Sequence, residues 1–231
     1  MKIAVLGAGA WGSALAVALA GRHRITLWAR DSALVSAIGS HGRNSRYLPE
    51  VPVPDAVAVT AELGPALAGS DTVLVATPTS ALREVLERVR ASGFEGPVLW
   101  ACKGFEQASG KLPHQVAAEA LGKRDSGGAL SGPSFALEVA RGLPTALTLA
   151  ANDAAFARRM ARELHQPTLR VYFSSDVVGV EISGAVKNVM AIAAGISDGL
   201  GLGQNARAAL ITRGLAELAR LGAALGGRAE T

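Results

Sequence analysis

Apolar residues follow two different periods along this chain. Short apolar runs bounded by turn residues predict buried strands, and longer runs with apolar residues at every third or fourth position predict helices. The predicted strands are residues 2–6, 24–28, 56–59, 72–76, 97–101, 129–131, 145–150 and 169–172. Helices are predicted between them, for example at 80–90, 113–121 and 153–164. Strands that alternate with helices favour a mostly parallel sheet.

The pattern changes near residue 176. Beyond it the sequence predicts no strand and two long helices, at 177–198 and 205–225, the second with an apolar stripe that includes Leu215 and Leu218. We therefore predict an α/β domain over residues 1–176 and the start of an all-α domain, incomplete, over residues 177–231. Residues 41–55, which contain three prolines, are predicted to be a turn-rich loop.

A glycine-rich turn follows the first predicted strand. Gly7, Gly9 and Gly12 have the spacing Gly-x-Gly-x-x-Gly, with an apolar strand before them and a helix-compatible run after them. In this context the first glycine permits a tight turn, the second lets the backbone approach phosphates, and the third lets the helix pack on the strand. The helix N-terminus then presents free N–H groups to an anion. The sequence predicts a Rossmann-like dinucleotide-binding domain.

A secretory signal peptide is a competing interpretation of the N-terminus. Lys2, the apolar stretch after it and the small residues near position 20 resemble such a signal. Three glycines interrupt that stretch, however, and its removal would leave the second predicted strand without a partner. We therefore favour the interpretation that this stretch is part of the folded domain rather than a signal peptide.

Composition narrows the class of protein further. The only cysteine, Cys102, excludes an internal disulfide and fits a reducing cytoplasm. The net charge is +4, with no basic stripe interleaved with aromatic residues, so we predict no nucleic-acid partner. The four histidines share no metal-like spacing, so we predict no metal site. The most hydrophobic region, residues 177–196, is interrupted by Glu181, Lys187 and Asn188, so we predict no membrane span.

Arg30 bears on the choice of nucleotide. An NAD site usually presents an acidic residue at this distance from the glycine motif, whereas a guanidinium there suits the 2′-phosphate of NADPH. NADPH is therefore favoured over NADH. The alternative is that Arg30 is an ordinary surface residue and that Asp31 caps the next helix.

A lysine lies at the centre of a small-residue helix face. Gly184, Lys187, Asn188, Ala191 and Gly195 share that face by their spacing. A cleft against this face would desolvate the lysine, lower its pKa and suit it to proton transfer. The alternative is a lysine that extends to solvent from a packed helix.

Three further segments follow predicted strands, where ligands of open α/β sheets bind. Lys103 precedes Gly104, Thr77 precedes a proline, and Ser134 lies in the segment Ser-Gly-Pro-Ser-Phe-Ala at 131–136. Each has a plainer interpretation: a surface charge, a strand-to-helix turn and a helix N-cap, respectively.

Together these segments resemble the bacterial-type NAD(P)-dependent glycerol-3-phosphate dehydrogenases. The matching blocks are Gly-Ala-Gly-Ala-Trp-Gly at 7–12, Ala-Cys-Lys-Gly at 101–104, the 131–136 segment, Gly-Ala-Val-Lys-Asn-Val at 184–189 and Asn-Ala-Arg-Ala-Ala-Leu-Ile-Thr-Arg-Gly at 205–214. The resemblance covers essentially the whole chain. Family members continue beyond position 231 by a hundred residues or so, and the resemblance implies that the chain lacks this part, which completes the substrate and cofactor sites.

The resemblance also implies roles for individual positions. The implied cofactor-binding residues are Gly7, Gly9, Ala10, Trp11, Gly12, Arg30, Lys103 and Ala136. The implied substrate-binding residues are Lys103, Gly132, Ser134 and Lys187, of which Lys187 transfers the proton.

The implied reaction is reversible reduction of dihydroxyacetone phosphate to sn-glycerol 3-phosphate by NADPH or NADH, which feeds glycerophospholipid synthesis in the cytoplasm. A homodimer is the implied assembly. Two alternatives stay open: a related reductase of a different small keto or hydroxy acid, and a non-catalytic NADPH-binding fragment.

Overall fold

The computed structural model of the protein describes residues 1–122, 127–133, 135–228 and 231. Its strands are β1 (Lys2–Leu6), β2 (Arg24–Trp28), β3 (Arg43–Asn44), β4 (Leu48–Pro52), β5 (Val57–Thr60), β6 (Thr72–Val75), β7 (Val98–Trp100), β8 (Gly127–Ser131), β9 (Thr145–Ala150) and β10 (Leu169–Ser174). Its α-helices are α1 (Ala10–Leu19), α2 (Ser32–His41), α3 (Leu63–Leu67), α4 (Leu82–Ala91), α5 (Pro113–Leu121), α6 (Ala136–Ala140), α7 (Ala154–Leu164), α8 (Val177–Gly199) and α9 (Gly203–Ala224).

Eight of the described strands form one sheet in the order β10-β9-β8-β7-β6-β1-β2-β5. Neighbouring strands run parallel except for the antiparallel pair β8 and β9. The central strands are buried on both faces, which is why they are continuous apolar runs in the sequence. The predicted Rossmann-like, mostly parallel sheet is therefore confirmed. Residues 2–6, for which a signal peptide was the alternative, form β1 near the middle of that sheet.

The segment 41–55 differs from the sequence prediction. It contains the two-stranded antiparallel hairpin of β3 and β4 rather than only turns. Proline is tolerated at such a position because the hairpin is separate from the large sheet and leaves some of its N–H groups unpaired. The turn residues hid the short strands from the sequence pattern.

The two last helices follow the sheet directly. Asp176 caps α8 by accepting a hydrogen bond from the Gly179 N–H at 2.9 Å, and α8 then packs against α9. Helix α8 is long and apolar enough by length and composition to qualify as a candidate membrane span, although Glu181, Lys187 and Asn188 were expected to prevent this. One such helix is weak evidence for a membrane protein, because the core helices of soluble proteins have the same length and composition.

Candidate active site

The glycine turn connects β1 to α1 at the carboxyl edge of the sheet. Gly7 has φ +117°, a conformation that side chains rarely adopt, and its N–H donates to the Trp28 carbonyl at 2.9 Å. A Cβ atom on Gly7 would lie 2.9 Å from the backbone carbonyl of Ala76. Both backbone conformation and space therefore require glycine at this turn.

The remaining two glycines show which side of the turn is open. A side chain on Gly12 would collide with the Gly7 carbonyl, so the first turn of α1 packs directly on the loop. A side chain on Gly9 would meet no atom within 4 Å among the described residues. Gly9 is the N-cap of α1, and the first turn of that helix carries no acidic residue. The helix N-terminus thus faces open space with its N–H groups available to an anion.

Asn44 holds the glycine turn in place through two hydrogen bonds. Its side-chain amide, fully buried, donates to the Ala8 carbonyl at 2.9 Å and to the Ser13 hydroxyl at 2.8 Å. The residue belongs to the hairpin that the sequence analysis did not predict, so this contact was missed as well. An asparagine between two charged or polar neighbours in a turn-rich segment gave no signal that it would be buried.

Two polar atoms near the glycine turn are buried without a hydrogen-bond partner in the described part of the chain. They are the Trp11 Nε1 and the Thr77 Oγ1. Thr77 follows β6 and lies beside Gly7, because a Cβ on Gly7 would be 3.1 Å from its Cγ2. Most buried polar side-chain atoms in proteins have a hydrogen-bond partner, so these two atoms are candidates to contact a ligand or an ordered water. The open Gly9, the free helix N-terminus and these two atoms fit a dinucleotide.

Arg30 and Asp31 follow β2, the strand next to the glycine turn. The Asp31 carboxylate caps α2 by accepting from the N–H groups of Ala33 and Leu34, as the alternative interpretation expected. The Arg30 side chain is 76% exposed, and its pairing with Glu84 is loose at 3.8 Å. The guanidinium can therefore turn toward a ligand at little cost.

Two lysines converge on one carbonyl at the same edge of the sheet. Lys103 follows β7, and Lys187 comes from α8. The Nζ atoms of Lys103 and Lys187 donate to the Gly132 carbonyl, just after β8, at 2.9 and 3.2 Å. The structure thus brings together three sequence-predicted residues that are far apart in the chain.

The environment of Lys103 changes its acidity. Burial, together with the positive charge and hydrogen bond of neighbouring Lys187, lowers the pKa of Lys103 to about 8. A desolvated ammonium beside a second one is a strong site for a small anion. The pair is suited to a phosphorylated or carbonyl-containing ligand.

The close approach of α8 to the sheet depends on Gly184. A Cβ there would lie 2.6 Å from the Ser131 hydroxyl and 3.6 Å from the Lys103 Cγ. A cleft of about 260 Å³ opens beside it. Its lining residues are Ser131, Gly132, Pro133, Thr148, Val180, Ser183, Gly184, Lys187 and Thr231.

Only the first half of the predicted small-residue face lies at this cleft. Asn188, Ala191 and Gly195 are exposed, and a Cβ built on Gly195 would have no described atom within 4 Å.

Ala136 is the first residue of the five-residue helix α6, which begins after the Gly132 turn. Ser134, predicted to bind substrate, lies outside the described residues.

A Rossmann-like sheet with an open glycine turn, an exposed arginine after β2 and a lysine pair over a cleft defines a nicotinamide-dependent oxidoreductase. The family described as NAD-dependent glycerol-3-phosphate dehydrogenase matches the chain twice, its N-terminal part at residues 2–157 and its C-terminal part at residues 176–231. The chain belongs to this family, and its cofactor is accordingly NADPH or NADH.

Curated relatives carry the same identification. A protein of Dechloromonas aromatica named glycerol-3-phosphate dehydrogenase (NAD(P)+) is 57% identical over 231 residues, which are 100% of this chain and 70% of the relative. A protein of the same name from Aromatoleum aromaticum is 56% identical with the same coverage.

Solved structures agree with the sequence relatives. The glycerol-3-phosphate dehydrogenase of Coxiella burnetii matches with a TM-score of 0.92 and 44% identity, over 99% of this chain and 70% of that one. The glycerol-3-phosphate dehydrogenase of Plasmodium falciparum matches with a TM-score of 0.86 and 26% identity, over 96% of this chain and 66% of that one.

Proposed function

We propose that this chain carries out the reversible, NAD(P)H-dependent reduction of dihydroxyacetone phosphate to sn-glycerol 3-phosphate. The observation that carries the proposal is the convergence of the Lys103 and Lys187 ammonium groups on the Gly132 carbonyl, beside a cleft at the carboxyl edge of a dinucleotide-binding sheet. Membership of the family supports the substrate.

In this proposal the residues at the carboxyl ends of the strands would hold the cofactor. When bound, it supplies the hydride that reduces the C2 carbonyl carbon of the substrate. The N–H groups at the start of α1 bind its pyrophosphate, and the Arg30 guanidinium binds the 2′-phosphate of NADPH. The proposed cofactor-binding residues are Gly7, Gly9, Ala10, Trp11, Gly12, Arg30, Lys103 and Ala136.

Lys187 is the proposed proton-transfer residue. Its ammonium polarises the carbonyl oxygen of the substrate and gives it a proton during reduction, and its neutral amine accepts that proton in the reverse direction. Lys103, Gly132 and Ser134 bind and orient the substrate. Correct orientation alone provides a large share of such a rate enhancement.

The first experiment follows the loss of NADPH absorbance when dihydroxyacetone phosphate is added to the 231-residue chain. We expect oxidation by the wild type. In Lys187→Ala we expect turnover to fall by about 10²-fold or more, with NADPH binding, measured by fluorescence titration, unchanged. Lys111→Ala is the matched control, because this half-exposed lysine pairs with Glu119 away from the cleft. Near-normal turnover in Lys187→Ala would disprove its role.

The same assay separates the two other candidate functions. Turnover of a different keto or hydroxy acid in a substrate panel would indicate a related reductase. NADPH binding with no turnover of any substrate would indicate a nucleotide-binding module.

We also propose a cytoplasmic location, a homodimer and a role in supplying glycerophospholipid synthesis. The single Cys102 supports a reducing compartment, because it leaves no disulfide to form within the chain. Exposed apolar side chains on α8 and α9 support an assembly. We further propose that residues 1–176 form the dinucleotide-binding domain and residues 177–231 the beginning of a helical substrate domain.

A further inference from the structure

One buried carboxylate near the cleft has no role in the mechanism above. Glu181 lies on the second turn of α8, and its side chain is only 3% exposed. Taking a carboxylate out of water is costly unless hydrogen bonds satisfy its oxygens. In the sequence, Glu181 is recognisable only as an interruption of an apolar stretch.

Each oxygen of Glu181 has a partner on a different element. The Trp100 Nε1, at the end of β7, donates to Oε1 at 2.7 Å. The His114 Nδ1, in the first turn of α5, donates to Oε2 at 2.6 Å. Hydrogen bonds to an ionised acceptor are short and strong. Because the two donors come from the sheet and from a helix, they fix both the position and the rotation of α8.

Glu181, Gly184 and Lys187 are spaced by three residues and form one ridge along α8. Glu181 contacts Trp100 on β7, Gly184 packs on the hydroxyl of Ser131 at the end of β8, and Lys187 reaches the Gly132 carbonyl. The ridge thus crosses the carboxyl edge of the sheet at three successive points. A shift of α8 at Glu181 therefore also moves Lys187, two turns further along the same ridge.

We propose that Glu181, His114 and Trp100 form a positioning cluster that holds the Lys187 ammonium over the cleft. This inference rests on the function proposed for Lys187. A displacement of about 1 Å at a reacting group costs about 10²-fold in rate. Loss of the cluster therefore lowers kcat, while the glycine turn, on a different part of the sheet, continues to bind NADPH.

Two substitutions at position 181 separate positioning from packing. In Glu181→Gln the amide oxygen still accepts from Trp100, and the amide nitrogen donates to His114 once the imidazole changes tautomer. Glu181→Leu has similar volume and makes neither bond. In Glu181→Leu we expect kcat to fall by about tenfold or more, with the KM for NADPH unchanged. In Glu181→Gln we expect kcat to stay close to its wild-type value.

Ile182→Ala is the matched control. Ile182 is the neighbouring residue, fully buried, and lines the contact with α9 rather than the cluster. We expect this variant to lower the melting temperature without lowering the kcat of the folded protein. An equal loss of kcat in Ile182→Ala and Glu181→Leu, or an unchanged kcat in Glu181→Leu, would overturn the proposal.

Hydrogen exchange over residues 181–190 gives a readout that does not need turnover. We expect faster exchange there in Glu181→Leu than in the wild type, with no change in β1 and α1. If the wild type has no activity, the proposed function fails while exchange still decides on the cluster. Trp100→Phe, which removes one donor and keeps a ring, replaces Glu181→Leu if that variant does not fold; unchanged exchange in the variant used would overturn the proposal.

Discussion

Lys103 is partly buried and shares an acceptor with Lys187, and these two features, burial first, give the site its pH dependence. With a pKa of about 8, Lys103 is an ammonium below that pH and loses its charge above it, well before an ordinary lysine would. The unfolded chain binds more protons than the folded one between about 8 and 10.5, so this group's contribution to stability increases with pH in that window. The affinity of the cleft for a phosphate changes in the opposite direction.

We therefore predict that the KM for dihydroxyacetone phosphate increases as the pH rises above about 8. In Lys187→Met the second positive charge is gone, so the loss of affinity moves to higher pH. Because we expect turnover of that variant to fall by about 10²-fold or more, calorimetric titration with sn-glycerol 3-phosphate makes the measurement in both proteins. An identical pH dependence in the two would show that Lys187 does not influence Lys103.

Arg30 provides the second prediction at this scale. Arg30→Ser removes the proposed partner of the 2′-phosphate, so the KM for NADPH is expected to rise about tenfold, which is the worth of one charge-assisted hydrogen bond. The KM for NADH is expected to stay the same. Arg90→Ser, at an exposed position of α4, is the control. An equal rise in the KM for NADPH and in the KM for NADH would show that Arg30 does not select between the two nucleotides.

Helix α8 differs in packing between its two halves. Gly184 is pressed against β8, whereas Gly195, three turns later, faces open space among the described residues. The two glycines lie on the same predicted face, but close packing requires glycine only at position 184. The sequence pattern grouped both with Lys187, and only the structure separates them.

The third prediction compares these two glycines. Gly195→Ala is expected to stabilise the protein by about 0.5–1 kcal/mol, because alanine is the better helix former, and to leave kcat unchanged. Gly184→Ala is expected to lower kcat without that gain, because its Cβ would force the Ser131 hydroxyl or α8 to move. Thermal melts and initial rates check both. Equal stabilisation with full activity in Gly184→Ala would mean that α8 does not need this close approach.

Sequence patterns predicted the central strands of the large sheet because these strands are buried on both faces and are therefore uniformly apolar. The glycine turn, Lys103 and Lys187 could also be predicted from the sequence, because each lies at a predicted element boundary or on a predicted helix face. The contact between Asn44 and the glycine turn could not be predicted, because the hairpin that carries Asn44 is short and contains proline. The Glu181 cluster was hidden for another reason: its partners are 67 and 81 residues away along the chain.

The whole molecule presents an apolar surface on its helical side. Ile192 and Ile196 on α8 and Leu200, the residue that caps its C-terminus, recur at intervals of four residues and are 65%, 57% and 68% exposed. Leu202 and Leu215 add to this surface at 59% and 60% exposure. Contiguous apolar surface of this kind is typical of an interface.

We predict that the 231-residue chain self-associates through this surface and binds an apolar dye. The double variant Ile192→Lys and Ile196→Lys is expected to lower both self-association and dye binding, because charge opposes burial of that face. Light scattering after size exclusion checks the assembly. Leu143→Lys is the control, at a half-exposed leucine outside these helices. A monomeric wild type that binds no dye would contradict the proposed homodimer.

The position of β1 has a consequence for how the chain is made. Residues 2–6 leave the ribosome before the other strands of the sheet. Their two neighbours are β2 and β6, so one side of β1 has no partner until residue 75 has been synthesised. Parallel pairing of this kind is slow, since the intervening chain must be ordered first. During that interval this apolar strand edge is open to other nascent chains or to chaperones.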